Sequence, residues 1–218
     1  MMIARRQLQD FLKQCPLVAI LRGVRPDEIL DIGLALFEAG FRIIEVPLNS
    51  PDPLRSIEML SARLGDQALV GAGTVLQPTE VASVRDAGGR IIVSPSTDAA
   101  VIEATVAAGL LSTPGYFTPS EAFTALAAGA HALKLFPAEA AAPAVVKAQR
   151  AVLPIDLPLI VVGGVTPQSM ASYWHAGANG FGLGSGLYEA GRTATDVASR
   201  ARAYLTALEL MSTEPHDG

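Results

Sequence analysis

The chain alternates eight times between a short apolar segment and a helix-like segment, and this alternation constrains its fold more than any other feature. The apolar segments are predicted strands at 16–21, 42–48, 68–72, 90–94, 110–113, 131–135, 158–162 and 179–183. Strands that alternate with helices form a parallel sheet with helical crossovers. Eight units with short connections predict an α/β chain closed into a (β/α)8 TIM barrel. An open doubly wound sheet is the alternative, but no G-x-G-x-x-G turn follows the first strand.

The segments between the strands carry helix signals. Asp98 is a predicted N-cap, an Ala-rich helix is predicted over 139–152, and the N-terminal MMIARRQLQDFLKQ has the pattern of a short amphipathic helix. We therefore predict a single barrel domain over 1–211 that begins with this short helix. The tail over 212–218 is predicted to be disordered.

Composition narrows the possible functions. Hydrophobic residues make up 50% of the chain and charged residues 17%, which favours a large core, and a net charge of -5 gives no basic surface for nucleic acid. The one cysteine, Cys15, fits a reducing cytoplasm. The histidines His131, His175 and His216 lack ligand spacing, so we expect no metal site. No apolar run reaches the roughly 18 residues of a membrane span.

Lys134 is the most unusual residue of the predicted strands. It lies in AHALKLFPA, where its neighbours predict a buried side chain, whereas Lys13 and Lys147 fall outside the strands. A buried ammonium is costly unless it is paired or loses its proton. A desolvated lysine with a lowered pKa can attack a carbonyl and form a Schiff base. The alternative is a lysine at the end of the strand, with its amine in solvent or paired with a carboxylate.

Side-chain alternation along the strands places four polar residues on one face. If Val18 and Ile20 point into the barrel, the same parity points Arg22, Glu45, Thr74 and Lys134 into its mouth. Active sites of such barrels lie at this carboxyl end of the strands. Glu45 and Lys134 could also form a buried structural ion pair, but such a pair seldom gains stability over apolar residues, so a functional role is favoured.

Two glycine-rich turns follow the last two predicted strands. They are Gly163-Gly164 and Gly182-x-Gly184-Ser185-Gly186. Backbone amides at such turns bind phosphate, and this is the usual phosphate site of the barrel. The alternative is that glycine only permits a tight turn.

Eight segments together resemble the 2-keto-3-deoxy-6-phosphogluconate and 6-phosphogalactonate aldolases, class I aldolases with a (β/α)8 fold. The segments are AILRG at 19–23, EVPLNSP at 45–51, GAGTV at 71–75, SPS at 94–96, TPGYFTPSEA at 113–122, LKLFPAE at 133–139, VGGVTP at 162–167 and GLGSGLY at 182–188. The resemblance covers about residues 12–210. It implies a homotrimer that acts on a phosphorylated 2-keto-3-deoxy sugar acid, releases pyruvate, and needs no metal or other cofactor.

The resemblance also implies residue roles. Lys134 forms the Schiff base with the keto carbon, and Glu45 moves protons as general acid and base. Arg22 and Thr74 hold the pyruvate carboxylate, while Gly163, Gly164 and Ser185 hold the phosphate. The implied substrate-binding set also includes Asn49, Pro95 and Gly184.

The family has two branches, which act on C4-epimeric sugar acids. The phosphogluconate branch usually carries an arginine at the position of Asn49 and T-G-G-I in place of 162–165. This chain has PLNSP and VGGV there, which resembles the phosphogalactonate branch. In the loop after strand five, where the family has small residues, this chain has Tyr116 and Phe117. These two larger side chains are expected to affect the shape of the sugar pocket.

Three other functions stay open from the residues alone. A phosphosugar isomerase or epimerase on the same barrel would use Glu45 as a base and Lys134 only as an electrostatic partner. A non-catalytic barrel would bind a phosphorylated ligand without turnover. An aldolase that prefers the phosphogluconate epimer would differ only in how it places one hydroxyl.

Overall fold

The computed structural model describes residues 2–213, with side chains over 4–211. Nine strands form one sheet in the order β5-β4-β3-β2-β1-β9-β8-β7-β6. The strands are β1 Leu17–Ile20, β2 Ile43–Pro47, β3 Leu69–Gly73, β4 Ile91–Val93, β5 Leu111–Thr113, β6 Gly115–Tyr116, β7 Leu133–Leu135, β8 Leu159–Val162 and β9 Gly180–Leu183. All strand pairs are parallel, as the alternation of strand and helix requires.

Helices connect the strands and surround the sheet. They are α1 Met2–Gln14, α2 Ile29–Ala39, α3 Pro53–Leu64, α4 Pro78–Asp86, α5 Ala99–Ala107, α6 Pro119–Ala127, α7 Pro143–Arg150, α8 Met170–His175 and α9 Ala194–Thr213. None of these helices, in the part of the chain that the structure describes, is long and apolar enough to cross a membrane.

The sheet closes into a barrel through a strand that is broken at Pro114. Strands β5 and β6 lie on either side of this residue, and they pair with β4 and β7 respectively. The Pro114 carbonyl accepts a hydrogen bond from the Lys134 backbone N–H at 2.9 Å. The predicted (β/α)8 barrel is confirmed, with its fifth strand divided at a residue that has no N–H to donate.

Apolar side chains form two layers, one on each side of the barrel wall. The interior layer contains Val18, Ile20, Ile43, Leu69, Ile91, Val93, Leu111, Ala132, Ile160 and Val162. Alternate residues of the same strands, such as Leu17 and Ala19 of β1, pack outward against the helices. This is the alternation expected of a strand buried on both faces. The predicted parity is confirmed for the apolar residues on the strands of Arg22, Glu45 and Lys134. It is wrong on β3, where Val70 and Ala72, which share the predicted face of Thr74, pack outward and Leu69 lies inside. Thr74 lies just beyond that strand, where a φ of 56° changes the direction of the backbone.

Helix α1 closes the amino-terminal end of the barrel. Its Leu8, Phe11 and Leu12 belong to the interior layer, and Leu8 is fully buried. A methyl group on Gly180, at the start of β9, would lie 3.2 Å from Leu12 Cδ2. The Arg5 guanidinium pairs with Asp156 at 3.1 Å. The helix therefore keeps water out of the end of the barrel that lies opposite the predicted site.

One predicted helix is wrong. In place of a continuous helix over 139–152, a 3-10 turn at Ala138–Ala140 precedes α7, which begins only at Pro143. Ala142 is extended, with ψ of 156°. A residue before proline is pushed out of the helical region by the pyrrolidine ring, and proline itself is tolerated in the first turn of a helix. The alanine content of the segment cannot override that steric limit.

The start of α5 and the end of α9 agree more closely with the sequence prediction. The N-cap at Asp98 is confirmed, because its Oδ1 accepts hydrogen bonds from the N–H groups of Ala100 at 2.9 Å and Val101 at 3.2 Å. Helix α9 continues to Thr213, past the predicted domain boundary at 211. The rest of the predicted tail, 214–218, lies outside the described residues.

Because Leu8 fills the amino-terminal end of the barrel, Leu8→Ala should lower the free energy of unfolding by about 3 kcal/mol, the usual cost of a fully buried leucine. Urea denaturation followed by circular dichroism measures it. Gln7→Ala, at an exposed position of the same helix, is the matched control and should change little. Equal stability of the two variants would contradict the role of α1 as a plug.

Candidate active site

A cavity of about 240 Å³, here called the mouth cavity, opens at the carboxyl ends of the strands. Its lining includes Arg22, Thr74, Pro95, Lys134, Phe136, Glu139, Gly163, Gly164, Gly184 and Ser185. Larger depressions of about 440 and 760 Å³ lie beside α1 and contain neither Lys134 nor Glu45. The mouth cavity is the one that combines convergent polar groups with the functional end of the barrel.

Lys134 lies at the bottom of the mouth cavity, in the middle of β7. Only 6% of its surface is exposed, and its Nζ lies 4.9 Å from the centroid of the Phe136 ring. Burial lowers the pKa of the Lys134 amine, Glu45 opposes that shift, and the positive charge of Arg22 adds to it. A fraction of the amine is therefore neutral and nucleophilic at a pH where an exposed lysine is fully protonated.

Glu45 enters the barrel from β2 and is 1% exposed. Burial raises the pKa of its carboxyl to about 7, although Lys134 and Arg22 both lower it. Gly73, on the neighbouring strand β3, makes room for this carboxylate, because an added methyl group there would collide with Glu45 Oε2. Oε2 has no hydrogen-bond partner among the described residues. Glu45 is therefore not held at that oxygen in a structural ion pair with Lys134.

The two buried groups have pKa values that burial shifts toward each other. A carboxyl with a pKa of about 7 exists in both protonation states near neutral pH, which is the requirement for a general acid and base. A lysine whose pKa is lowered supplies a nucleophile. Titratable groups whose pKa values are perturbed by burial in a cavity are candidates for functional residues. The arrangement can therefore form a covalent bond to a carbonyl and transfer protons beside it.

Arg22 is held in place by two side chains before any ligand binds. Its Nη1 donates to Asn49 Oδ1 at 2.6 Å, and its Nη2 donates to Thr74 Oγ1 at 3.2 Å. Thr74 has a φ of 56°, a left-handed conformation that costs a β-branched residue of order 1–3 kcal/mol. Such strain is concentrated at functional sites. Arg22 presents a fixed guanidinium at the cavity, a geometry suited to a carboxylate.

The two glycine-rich turns also reach the mouth cavity. Gly163 and Gly164 have φ values of 113° and 59°, a backbone conformation that favours glycine. Behind the second turn, Arg192 donates to the Ser185 carbonyl at 2.9 Å and Arg200 donates to the Gly186 carbonyl at 3.1 Å. These bonds fix the turn and add positive charge beside it. Both features suit an anion-binding end of the cavity.

Glu139 is a further residue at this end of the cavity. A methyl group on Gly164 would lie 2.6 Å from Glu139 Cγ, and one on Gly163 would collide with the Glu139 carboxylate. A phosphate at these glycines would therefore require that exposed side chain to turn away. Its position in LKLFPAE, after the strand that carries Lys134, is the sequence signal that could have identified it.

The structure brings most of the predicted site residues together. All of them line the mouth cavity except Asn49, which contacts Arg22 instead, and Glu45, which lines a smaller cavity with Lys134. Tyr116 turns outward from the barrel, and its hydroxyl donates to Gln149 Oε1 at 2.8 Å. Tyr116 therefore does not shape the sugar pocket. Within residues 2–213, no cluster of three or more His, Cys, Asp or Glu residues could hold a metal ion.

Comparisons with known proteins agree with this architecture and geometry. Residues 8–202 match the model of the aldolase family described as KDPG and KHG aldolase. A probable 2-dehydro-3-deoxy-6-phosphogalactonate aldolase of Rhizobium meliloti (strain 1021) is 49% identical over 89% of this chain and 92% of that protein. The 2-dehydro-3-deoxy-6-phosphogalactonate aldolase of Escherichia coli (strain K12) is 47% identical over 88% of this chain and 94% of its own.

A solved structure described as native KDPGal has the same fold. It superposes with a TM-score of 0.91 at 45% identity, over 92% of this chain and 98% of its own. Since the family model spans most of the sequence and two relatives are nearly half identical to it, the chain belongs to the KDPG and KHG aldolase family.

Proposed function

We propose that this chain is a class I aldolase that cleaves 2-dehydro-3-deoxy-6-phosphogalactonate to pyruvate and D-glyceraldehyde 3-phosphate, in galactonate catabolism. The observation that carries the proposal is the burial of Lys134 and Glu45 in one cavity, with the pKa of the amine lowered and that of the carboxyl raised to about 7. The names of two relatives, at 49% and 47% identity, support this choice of sugar acid.

The reaction begins with attack of the neutral Lys134 amine on the C2 ketone of the substrate. The carbinolamine takes up one proton from solvent, loses water and becomes an iminium, which withdraws electrons from the adjacent C3–C4 bond. Glu45, as a carboxylate, takes the proton of the C4 hydroxyl, directly or through water. The C3–C4 bond then breaks, its electron pair moves into an enamine, and the aldehyde leaves.

The second half of the reaction returns the proton and frees the enzyme. Glu45, now protonated, would protonate the enamine at C3. Water then adds to the resulting iminium, and hydrolysis releases pyruvate, the neutral amine and one proton to solvent. Each transfer by a positioned carboxyl contributes roughly 10²–10⁴-fold to the rate.

Binding groups lie at two ends of the mouth cavity. Arg22 and Thr74 would hold the pyruvate carboxylate beside Lys134. The backbone amides of Gly163, Gly164 and Gly184, with the Ser185 hydroxyl, would hold the phosphate at the opposite end. Pro95 would form part of the wall between them. Two anion sites in one cavity suit a sugar acid that carries both a carboxylate and a phosphate.

The proposal also includes a homotrimeric assembly and a cytoplasmic location. The family resemblance implies a homotrimer, and exposed apolar side chains such as Leu76 and Phe123, at 49% and 48%, supply surface for contacts between subunits. The one cysteine is buried and burial raises the pKa of its thiol, which fits a reducing cytoplasm.

Borohydride trapping with pyruvate, followed by peptide mapping, tests the covalent step. One pyruvate-sized adduct on Lys134 is expected, because borohydride reduces the iminium to a stable amine. Lys134→Met should abolish the adduct and turnover while leaving the fold intact, whereas Lys147→Met, at an exposed lysine of α7, should retain both. No adduct in the folded wild-type chain would favour an isomerase or a binding protein, and normal kcat in Lys134→Met would remove this lysine from the mechanism.

The pH dependence of kcat/KM tests Glu45. Only the carboxylate can act as the base, so kcat/KM of the wild-type chain should rise with pH through about 7, the raised pKa of Glu45. Glu45→Gln should lower kcat roughly 10²–10⁴-fold and still allow slow adduct formation. The part of that rise that belongs to Glu45 should also disappear, because glutamine cannot ionise, and loss of the Glu45 charge lowers the pKa of Lys134 further.

Glu58→Gln is the matched control for that experiment, since Glu58 is exposed on α3. It should keep the wild-type profile. A fully active Glu45→Gln variant would exclude Glu45 as the acid and base.

Substrate choice within the family is tested by kcat/KM on the two C4 epimers. We expect the galactonate epimer to be preferred by roughly tenfold or more, the effect of leaving one polar group without its hydrogen bond. Preference for the gluconate epimer would keep the chemistry and overturn the assigned sugar acid.

A further inference from the structure

A small cavity lies between the barrel walls beneath the mouth cavity, here called the floor cavity. Its lining is Val18, Ile20, Glu45, Ile91, Val93, Thr113, Lys134, Ile160, Val162 and Gly182. Apart from Lys134 and Glu45, Thr113 is the only residue of that lining with a polar side chain. It has no role in the function proposed above.

Thr113 and Glu45 each present an unsatisfied polar atom. Thr113 is 2% exposed and Glu45 is 1% exposed. Neither Thr113 Oγ1 nor Glu45 Oε2 has a hydrogen-bond partner among the described residues. A buried hydroxyl without a partner costs about 1–3 kcal/mol, and buried polar atoms are nearly always bonded to protein or ordered water. Two such atoms around one cavity indicate a shared partner.

The floor cavity has room for that partner to be a single water molecule. The space open to the centre of a water molecule is about 10 Å³. This is close to the smallest volume that holds one buried water, which also needs two to four polar neighbours. Thr113, Glu45 and Lys134 supply them. The surrounding valine and isoleucine side chains offer no competing bond.

The position of Thr113 allows it to influence the buried Lys134 amine and Glu45 carboxyl. The strand that carries it continues through Pro114, whose carbonyl accepts the Lys134 backbone N–H, so its position is coupled to that of the lysine. Thr113 also lies two residues beyond Leu111, which points into the barrel interior. Its side chain therefore points into the barrel interior, where it lines the floor cavity together with the buried amine and carboxyl.

We propose that Thr113 is a positioning residue: its hydroxyl donates a hydrogen bond to one water molecule in the floor cavity, and that water donates a hydrogen bond to the ionised Glu45 carboxylate. The proposal rests on the role of Glu45 as base in the proposed function. A donor aimed at the charged form favours that form. The other charged groups that act on Glu45 are Lys134 on β7 and Arg22 after β1, and both act in the same direction as the hydroxyl.

The test is the pH profile of kcat/KM in Thr113→Val, which keeps the shape of the side chain and removes its hydroxyl. Loss of one hydrogen bond to the carboxylate should raise the pKa of Glu45 and move the acidic limb upward by about 0.5–1 pH unit. At pH 6, kcat/KM should fall about three- to tenfold, with convergence toward the wild-type value in alkaline solution. Thr113→Ser should restore the wild-type limb.

Thr105→Val is the matched control, because Thr105 is a fully buried threonine on α5 whose hydroxyl bonds to the Val101 carbonyl instead. It should leave the limb unchanged. The inference would be overturned if Thr113→Val kept the acidic limb of kcat/KM at the wild-type pH. It would also be overturned if Thr113→Ser moved that limb as far as Thr113→Val does. If Glu45→Gln remains impaired in the same assays, either outcome leaves the proposed function standing.

A crystal structure of the wild-type chain at high resolution tests the inference independently of whether any variant folds. We expect one ordered water within hydrogen-bond distance of both Thr113 Oγ1 and Glu45 Oε2. A dry floor cavity would overturn the inference. Failure of the wild-type chain to form a pyruvate adduct or to cleave the sugar acid would overturn the proposed function itself, whatever the floor cavity contains.

Discussion

The removal of one amine and one carboxyl from water is the interaction on which the site depends. In water, Lys134 would be a cation and Glu45 an anion at neutral pH, and neither would exchange protons readily. Inside the barrel, apolar strands surround both groups, and desolvation is the largest influence on each pKa. Burial penalises whichever form is charged. Burial thereby makes the amine a better nucleophile and the carboxylate a better base.

The fold supports this burial in two ways. It excludes water from the amino-terminal end of the barrel, and it leaves room for the Glu45 carboxylate in the interior. Helix α1 closes the amino-terminal end with Leu8, while the valine and isoleucine residues of the interior layer fill the space beneath the two polar groups. Gly73 leaves the volume that the Glu45 carboxylate occupies, because a methyl group at that position would collide with it. The barrel thus concentrates its stabilising apolar contacts at one end and its polar groups at the other.

Much of the fold and of the candidate site could be predicted because both depend on local periodicity. Alternation along each strand is set by the backbone, so a lysine in LKL and a glutamate in IIEVP must share the barrel interior once the parity of the apolar residues is known. Asp98 was predictable as an N-cap because its side chain bonds to N–H groups only two and three residues further along the chain. The resemblance added roles that periodicity alone cannot assign.

The features that escaped prediction depend on steric detail or on distances across the barrel. Alanine content favours a helix over 139–152, yet Pro143 prevents one by its effect on Ala142. The contact of Glu139 with the Gly163-Gly164 turn joins two different connections of the barrel. Likewise, Thr113 and Glu45 lie on strands that are separated in the sheet by β3 and β4. No spacing in a sequence encodes that their unsatisfied atoms surround one small cavity.

Arg22 links substrate binding to the proton distribution of the buried pair. Its positive charge lowers the pKa of Glu45 and also that of Lys134, so it favours the state with a carboxylate and a neutral amine. That is the state in which both groups can react. Because Asn49 and Thr74 hold the guanidinium in place, its field is present before substrate arrives. A substrate carboxylate bound to Arg22 would cancel much of that field and would therefore raise the pKa of both groups again.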